Sequence, residues 1–556
     1  MWPNLHLGVE WRLRRRAFEL ILVASLLAAA VLTAQLCAGV YASEFGDDEA
    51  SHYISGLLIH DYLVRGLFQS PLQYLKDFHS HYPLVGIGHW PPLYYLVEGL
   101  WMGLFSTGRV SVLALSAAVT VATALAAYLL IRRRVGPVLA LFVALAFVAS
   151  PVVQSASGEL MLDIPVAFLC LAAAWCYARY LETCHFRAAA AFGFLAGAAL
   201  LVKGNAACLA LLPPLAVLIG RRFEILRRGS FWLPIPIVAT IAGPWYVATY
   251  GLVEQGFRFD WGLKFIASAT IANAEYLLSA VGPLVLVAAF LGLLDVVAMP
   301  RNHAGRNELT SISALFVSVL IFQSVVPAAL QDRYLIPALP PFLMLAAWGI
   351  SAGSERIANR WSSGPGFLRN STILTSGGAL ALSVSVLGGA MHVEQKPQLG
   401  LTEAARQIWA HRIAENPAVL IVSDGHAEAA LIAELAMADP QRPSLFSVRG
   451  SRLLGAGGYN NQEYLPRFHT SAEVMAAIDE YKIPFVLFRP SAGRQPWAHI
   501  EQVANAASAY ASRWETTFEE AKTSPKVVLY EISGNDLQSA DQAKLTALSA
   551  PRSLAR

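Results

Sequence analysis

Acidic and basic residues recur at the ends of long apolar segments, where a membrane-spanning chain does not need them. Asp48 and Glu49 follow the first apolar segment, Asp163 precedes a later one, and Lys203 and Arg333 lie in two short connections. Ionisable residues at membrane depth are costly and are functional candidates by default. Paired carboxylates can abstract a proton, and nearby Lys or Arg can stabilise an anionic leaving group such as phosphate. This pattern predicts proton abstraction next to a phosphate-binding site.

Each of these residues also has a structural interpretation that the sequence leaves open. The first two acids could stabilise the N-terminus of an interfacial helix. Asp163 could be the N-cap of the following helix, and Lys203 could extend to the lipid headgroups. Arg333 could simply pair with its neighbour Asp332. The functional interpretation is favoured because charged residues occur in several separate connections, although spanning a membrane requires none of them.

Aromatic residues beside the charges are candidates for a sugar or lipid slot. Trp90, Tyr94 and Tyr95 lie at the start of a short apolar segment. Glu159, in the connection that also contains Asp163, is assigned to the same slot. Aromatic belts form at membrane interfaces for purely structural reasons, so an interfacial packing role is the alternative for the aromatic residues.

The composition identifies the class of protein that must position these residues. The chain has 556 residues, of which 56% are apolar and only 14% are charged. Soluble domains average about 25% charged residues, so a disordered, fibrous or simple soluble protein is excluded. The formal net charge of +3 gives no indication of nucleic-acid binding. The five cysteines lie in or beside apolar segments and have neither metal-binding nor disulfide spacing.

Eleven apolar segments are candidate membrane spans, since a spanning helix needs about 20 mostly apolar residues. They cover residues 18–42, 110–131, 137–158, 164–181, 188–202, 205–220, 231–250, 276–298, 309–330, 334–352 and 370–391. A twelfth segment, 91–106, is short and carries Glu98, which favours a helix lying in the interface. The sequence therefore predicts a polytopic α-helical membrane protein with about 11 transmembrane helices plus interfacial helices.

The distribution of basic residues predicts the orientation of the chain. If 91–106 does not span, the connections on the N-terminal side hold 17 arginines, whereas the opposite connections hold seven Lys and Arg residues. Cytoplasmic loops carry an excess of Lys and Arg. The N-terminus is therefore expected in the cytoplasm, and the candidate site residues are expected at the extracytoplasmic face.

A change in composition after the last apolar segment predicts two domains. Residues 1–391 form a transmembrane domain, whose first outer loop, 43–109, holds interfacial helices. Residues 392–556 form a soluble, extracytoplasmic α/β domain, because β-rich runs alternate with amphipathic helical runs. The predicted strands are 418–423, 445–448, 484–488 and 527–532, and the predicted helices are 402–415, 426–438, 471–482 and 497–514. A flexible loop is expected over 455–461.

Six short motifs resemble, in order, those of one known family. They are Asp48-Glu49-Ala50, His89-Trp90-Pro91-Pro92-Leu93-Tyr94-Tyr95, Met161-Leu162-Asp163-Ile164-Pro165, Lys203-Gly204, Pro244-Trp245-Tyr246 and the segment Arg333–Pro340. The family comprises glycosyltransferases that use polyprenyl-phosphate sugars, of the glycosyltransferase family 39-like group. This group includes protein O-mannosyltransferases and lipid A aminoarabinose transferases, and it has the GT-C fold. The resemblance covers about residues 1–352.

The resemblance implies a role for each matching residue. Asp48 would be the general base that deprotonates the acceptor hydroxyl, with Glu49 supporting it. Asp163 would be a second acidic group near the sugar or acceptor. Lys203 and Arg333 would hold the donor phosphate as it leaves. The implied reaction is an inverting, direct displacement at the anomeric carbon.

One motif departs from the family pattern. Aminoarabinose transferases carry Glu-Lys where His89 and Trp90 stand in this sequence. His89 is assigned to the donor phosphate, with metal binding or a plain interfacial role as alternatives. No cofactor is assigned, and a divalent metal ion stays an open alternative.

The expected partners are a polyprenyl-phosphate sugar donor, membrane lipids, and a lipid, glycan or protein acceptor in the cell envelope; both protein glycosylation and lipid A modification fit. The expected location is the bacterial inner membrane, with the 392–556 domain in the periplasm. Two other functions stay open: a transporter or flippase of a lipid-linked sugar, and a catalytically inactive binding relative. Charges at one membrane surface, without a repeated half, favour the enzyme over the transporter.

Overall fold

A computed structural model gives the architecture. It describes residues 4–254, 259–300, 303, 305–360, 370–390, 393–410, 418–456, 464–490, 497–520, 525–534 and 542–549. The predicted domain boundary at His392 and residues 457–461 of the predicted loop lie outside these ranges.

The described chain is mostly helical and contains seven strands. The helices are α1 (Asn4–Cys37), α2 (Asp47–Asp61), α3 (Pro71–His81), α4 (Leu93–Leu104), α5 (Arg109–Ala149), α6 (Pro151–Ser157), α7 (Asp163–Thr183), α8 (Phe186–Leu200), α9 (Leu212–Gly220), α10 (Gly229–Trp232), α11 (Pro234–Val253), α12 (Leu263–Val281), α13 (Pro283–Ala298), α14 (Arg306–Val325), α15 (Leu339–Arg360), α16 (Ser371–Ala390), α17 (Leu401–Ala410), α18 (Gly425–Ala438), α19 (Gly450–Leu453), α20 (Ser471–Glu480), α21 (Ala498–Ala509) and α22 (Gln542–Ser549). The strands are β1 (Ala418–Val422), β2 (Phe446–Arg449), β3 (Gly455–Ala456), β4 (Leu465–Pro466), β5 (Phe485–Phe488), β6 (Trp514–Glu520) and β7 (Val527–Ile532). Short 3₁₀ helices cover Gly204–Ala210, Phe223–Arg227, Asp332–Ala338 and Ala511–Arg513, and a π-helical turn covers Tyr62–Gly66.

Several helices are long and apolar enough to cross a membrane, as the predicted fold class requires. By length and composition, six helical stretches among the described residues meet this requirement, or seven if one bent pair counts as a span. They are Arg16–Cys37, Arg109–Ala149, Asp163–Thr183, Gly229–Val253, Arg306–Val325 and Asp332–Arg360, and the bent pair is α12 with α13. The number of individually long helices is thus smaller than the 11 predicted spans.

Two Gly-Pro steps account for part of this difference. Gly136, with φ +82° and ψ +166° just before Pro137, interrupts α5 and divides it into two helical parts, which correspond to the predicted spans 110–131 and 137–158. Gly282, with φ +77°, separates α12 from α13 at an angle of 112° and breaks the predicted span 276–298. Glycine adopts positive φ readily, and proline lacks the N–H that would continue a helix. The predicted spans 188–202 and 205–220 fall on shorter apolar helical segments.

The chain folds into two compact units, each built from separate stretches of sequence. The first unit comprises residues 1–38, 88–94 and 113–395, and the second comprises 39–87, 95–112 and 396–556. The first outer connection, apart from 88–94, therefore shares a unit with the C-terminal residues. The two-domain division of the sequence at 391/392 stays a prediction.

Small residues allow close helix packing in the first unit. A Cβ atom at Gly292 of α13 would lie 2.1 Å from the carbonyl oxygen of Leu345 in α15. A Cβ atom at Gly349 of α15 would lie 2.2 Å from the carbonyl oxygen of Ala288. Membrane helices commonly associate through such small residues because their backbones can then approach closely. The α13–α15 pair needs glycine at both positions.

The second unit contains a mixed five-stranded sheet with strand order β2-β1-β5-β7-β6. Strand β1 pairs in parallel with β2 and β5, whereas β7 pairs antiparallel with β5 and β6. The residues of β1 are fully buried, and its side chains contribute to the core with Val486, Ile478 and Val503. The predicted α/β fold is confirmed, and the structure shows that its sheet is mixed rather than wholly parallel. Strand β6 was not predicted, because its start was assigned to the end of helix 497–514.

Candidate active site

Asp163 and Lys203 form a buried ion pair in the first unit. Asp163 is the first residue of α7, after Leu162 at the N-cap, and its side chain is completely buried. Lys203 precedes the 3₁₀ helix Gly204–Ala210, and its Nζ lies 2.6 Å from Asp163 Oδ1. The other carboxylate oxygen, Oδ2, is buried without a hydrogen-bond partner among the described residues. The structural alternatives for these residues were an N-cap role for Asp163 and a lysine extended to the headgroups. Instead, Leu162 is the N-cap, and Lys203 pairs with Asp163.

Tyr334 brings Arg333 into the same cluster. Lys203 Nζ lies 4.5 Å from the centre of the Tyr334 ring, and the Arg333 guanidinium carbon lies 5.7 Å from the same centre. A cation near an aromatic face is attracted by the ring quadrupole. Two cations therefore share one ring, beside the Asp163 carboxylate.

Two uncharged side chains, those of Gln331 and Met161, contact the Arg333 guanidinium. Its Nε donates to Gln331 Oε1 at 2.7 Å, and an Nη atom lies 3.0 Å from Met161 Sδ. The Arg333 backbone N–H donates to Asp332 Oδ1 at 2.7 Å. Met161 lies two residues before Asp163. Arg333 therefore contacts the Asp163 connection through Met161, in addition to sharing the Tyr334 ring with Lys203. The three charged residues predicted from separate connections thus lie together in the first unit.

The segment 88–94 is hydrogen-bonded to the chain just before Lys203. The Leu93 N–H donates to the Leu201 carbonyl at 2.9 Å. His89 Nδ1 lies 3.3 Å from the Leu252 carbonyl, and the His89 and Trp90 rings meet edge to face at 4.7 Å. Because a carbonyl oxygen only accepts, His89 Nδ1 carries the hydrogen in this contact.

Two further candidates and one motif residue also belong to the first unit. Tyr94 is buried. Glu159 accepts through its carbonyl from Ser116 Oγ at 3.1 Å, and through Oε1 from Ser155 Oγ at 3.3 Å. Tyr246 donates to the Leu200 carbonyl at 2.9 Å, and its hydroxyl would lie 3.4 Å from a Cβ atom at Gly204. The Tyr246 hydroxyl is therefore close to the backbone that directly follows Lys203.

A small cavity of about 60 Å³ lies in the first unit next to the Arg333 connection. Most of the side chains that line it are apolar, but polar atoms contribute nearly half of its surface. It is lined by Pro151, Val152, Tyr276, Leu277, Ser279, Ala280, Asp332, Leu335 and Leu339. The charged connection at 331–333 therefore borders a small cavity of mixed polarity.

Asp48 and Glu49 lie in the second unit, in the first turn of α2. This confirms that acids occupy a helix N-terminus here, where the helix dipole favours them. Glu49 is buried, and its Oε2 lies 2.5 Å from Lys396 Nζ. Asp47, directly before Asp48, has Oδ2 3.0 Å from His426 Nδ1.

The contact with Asp47 changes the protonation of His426. The hydrogen bond to Asp47 raises the pKa of the His426 imidazole above its ordinary value of 6.5, while partial burial acts in the opposite direction. The nearby carboxylates of Asp424 and Glu49 raise this pKa further. Protonated His426 therefore persists to higher pH than a free histidine. Sequence reasoning gave Lys396 no site role, and for residues 423–426, which include His426, it favoured a turn and a helix cap over a ligand site.

Tyr95 also belongs to the second unit. Its hydroxyl lies 2.7 Å from His52 Nδ1, and both side chains are buried. Of the predicted slot residues, Tyr95 thus shares a unit with Asp48 and Glu49, whereas Trp90, Tyr94 and Glu159 belong to the first unit. Among the residues that the structure describes, no group of three or more His, Cys, Asp or Glu side chains is arranged to hold a metal ion.

Comparisons with known proteins agree with this architecture. Residues 89–247 match the family model described as dolichyl-phosphate-mannose-protein mannosyltransferase. This range contains His89, Asp163 and Lys203. No curated protein has a sequence that matches the chain.

Two solved structures share the fold at low sequence identity. ArnT from Cupriavidus metallidurans bound to undecaprenyl phosphate is 15% identical, with a TM-score of 0.57, over 93% of this chain and 99% of that chain. The Archaeoglobus fulgidus oligosaccharyltransferase in its apo form is 12% identical, with a TM-score of 0.51, over 84% of this chain and 69% of that chain. The resemblance predicted from the motifs is confirmed, and the chain has the GT-C glycosyltransferase fold.

Proposed function

We propose that this protein transfers a sugar from a polyprenyl-phosphate-linked donor to an acceptor hydroxyl, with inversion at the anomeric carbon. The observation that carries the proposal is the cluster of Asp163, Lys203 and Arg333 around Tyr334. Two partly buried cations at one position are suited to the charge that a departing phosphate acquires. The family model and the bound lipid of the ArnT structure support the same donor class.

The proposed reaction is a single displacement. Asp48 takes the proton of the acceptor hydroxyl, and the acceptor oxygen forms a bond to the anomeric carbon. The bond from that carbon to the phosphate oxygen breaks on the opposite face, and its electron pair leaves with the polyprenyl phosphate. Lys203 and Arg333 stabilise the leaving phosphate. No electrons are transferred to a cofactor, and every atom of the donor is found in one of the two products.

The remaining site residues receive supporting roles in the proposal. His89, whose Nδ1 lies 3.3 Å from the Leu252 carbonyl, contacts the donor phosphate when its ring is protonated. Trp90, Tyr94, Tyr95 and Glu159 contact the sugar or the lipid. The cavity beside Asp332, whose lining includes several apolar side chains, receives the first part of the isoprenoid chain.

The proposed location is the bacterial inner membrane, with the N-terminus in the cytoplasm and the reaction at the extracytoplasmic face. The acceptor is a lipid, a glycan or a protein of the cell envelope. The proposed division at 391/392 makes residues 392–556 an extracytoplasmic domain. The asymmetry of the arginines supports this orientation.

A transfer assay tests the proposal. Purified protein in lipid receives a panel of radiolabelled polyprenyl-phosphate sugars and a membrane extract, with the Asp48→Asn variant in parallel. The expected result is label in the acceptor with the unmodified protein and a loss of about 10²–10⁴-fold in the variant, the usual contribution of a general base. The anomeric configuration of the product, read by NMR, is expected to be opposite to that of the donor.

Two outcomes would contradict the proposal. Full transfer by Asp48→Asn would exclude Asp48 as the base. Donor binding without transfer in either protein, across the panel, would favour a flippase or an inactive binding relative. A vesicle assay that measures movement of the labelled donor between leaflets then separates these two.

A further inference from the structure

Three consecutive carboxylates, Asp47, Asp48 and Glu49, crowd the first turn of α2. The helix dipole offsets only part of their mutual repulsion, since its effect is about 0.3–1 kcal/mol for a charge near the N-terminus. Asp47 and Glu49, the first and last of these carboxylates, each contact a residue that is distant in the sequence. Glu49 pairs with Lys396, 347 residues away, and Asp47 contacts His426, 379 residues away. All five residues belong to the second unit.

Lys396 is itself held in place by the segment before α2. Its carbonyl accepts from Ser43 Oγ at 3.0 Å, and its Nζ lies 5.5 Å from the centre of the Phe45 ring. Its side chain is 16% exposed, against 3% for its partner Glu49. An ion pair at this burial is screened much less than a surface pair. The charge of Lys396 therefore bears directly on the position of Glu49.

Glu44 fixes the two chain segments to each other. Its carboxylate accepts from the backbone N–H groups of Leu399 at 2.8 Å, of Leu401 at 2.7 Å and of Thr402 at 3.3 Å. Glu44 is buried, and these are charge-assisted hydrogen bonds. The chain that carries Lys396 thus cannot move without the chain that leads into α2.

His426 contacts the other side of the turn. A Cβ atom at Gly46 would lie 2.1 Å from the Cε1 atom of the His426 ring, so only glycine permits this approach. The next residue, Asp47, has φ +43°, in the left-handed region that few residues other than glycine adopt. The hydrogen bond between Asp47 and His426 therefore lies at a strained backbone position directly before Asp48.

We propose that Lys396 and His426 are positioning residues, which hold the Asp47–Glu49 turn in the conformation that aligns Asp48 with the acceptor hydroxyl. This inference rests on the proposed function and extends it, because it gives the C-terminal segment a part in the reaction. Neither residue touches the reacting atoms in this scheme. Losing either one lowers turnover and leaves donor binding at the Lys203 cluster unchanged.

Substitution of Lys396 tests the inference. Lys396→Met removes the charge and keeps most of the side-chain volume, and Lys396→Arg keeps the charge. Lys526→Met is the matched control, since it removes an exposed ion pair with Glu519 in the same unit. Lys396→Met is expected to lower kcat about tenfold, a change of about 1.4 kcal/mol, with the KM for donor within about twofold. Lys396→Arg is expected to recover most of the turnover, and Lys526→Met to behave like the unmodified protein.

Hydrogen–deuterium exchange tests whether Lys396 holds the turn, independently of whether the protein is a transferase. In Lys396→Met, amides of residues 43–53 are expected to exchange faster, whereas those of β1 and β5 keep their protection, which shows that the unit stays folded. Unchanged exchange over 43–53, or unchanged kcat in an active enzyme, would overturn the positioning role. Absence of transfer in the unmodified protein would overturn the proposed function, while the exchange result would still decide whether Lys396 holds the turn.

Discussion

The two charged clusters of this protein are built in different ways. In the first unit, Asp163, Lys203 and Arg333 come from short connections between apolar segments, and they meet through one ion pair and one shared aromatic ring. In the second unit, the acidic turn at Asp48 meets partners that follow all the apolar segments. The first cluster joins one acid to two cations, as phosphate binding requires. The second cluster presents adjacent acids, as proton abstraction requires.

The ion pair of the first cluster gives the largest expected change in stability. Lys203→Met leaves the completely buried Asp163 carboxylate without its cation. Breaking a buried pair from one side typically costs about 3–5 kcal/mol. We expect a corresponding loss in the free energy of unfolding, measured by denaturant titration in detergent.

A double variant sharpens this prediction. Lys203→Met with Asp163→Asn removes both charges, so the stability lost in the single variant should be largely recovered. Donor binding should remain weak in both proteins, because neither retains the lysine. Equal stability of the Lys203→Met and unmodified proteins would mean that Asp163 is compensated elsewhere.

The positions of these clusters were predictable to different degrees. The charges at 48, 49, 163, 203 and 333 were visible because each interrupts or borders an apolar segment, where charges are expensive. The α/β fold of residues 418–532 was visible in the alternation of β-rich and amphipathic runs. The predicted and observed strands agree at 418–422, 446–448, 485–488 and 527–532.

The rest depended on long-range interactions that no local pattern contains. Lys396 resembles any lysine that follows a transmembrane segment, and His426 lies in an ordinary helix start behind its N-cap, Asp424. Both gain their role through residues more than 340 positions away. The break at Gly136 falls between two predicted spans, whereas the break at Gly282 falls inside the predicted span 276–298, because hydropathy alone treats a Gly-Pro step as part of an apolar run.

Arg333, in the first cluster, is expected to have an intermediate effect, which is on the affinity for the donor. Arg333→Ala removes a guanidinium held by Gln331 and Met161. A hydrogen bond to a charged group contributes about 1.5–3 kcal/mol, so affinity for the polyprenyl-phosphate donor should fall about 10- to 100-fold. Equilibrium binding of a labelled donor in nanodiscs measures this.

Asp48→Asn is the control that makes this result specific. A base that acts on the acceptor contributes little to donor affinity, so donor binding by Asp48→Asn should match that of the unmodified protein. If Asp48→Asn and Arg333→Ala weakened donor binding equally, the two clusters would not divide the chemistry as their charges suggest.

The smallest expected effect is a pH dependence that arises from His426 in the second cluster. Asp47 raises the His426 pKa, with further contributions from Asp424 and Glu49, while burial lowers it. The charged contact is therefore fully present below the ordinary pKa of 6.5 and is lost as the pH rises through the raised value. Turnover should decline over this window by a modest factor, because His426 and Asp47 are both substantially exposed and such pairs are weak.

His426→Gln isolates this contribution, since glutamine can still donate to Asp47 but does not titrate. The ratio of turnover between the unmodified protein and His426→Gln should fall as the pH increases from below 6.5, with donor KM constant throughout. Titration of Asp48 itself affects both proteins in the same way and cancels in the ratio. A constant ratio would assign the decline to groups other than His426, and it would leave Lys396 as the residue on which the position of the acidic turn depends.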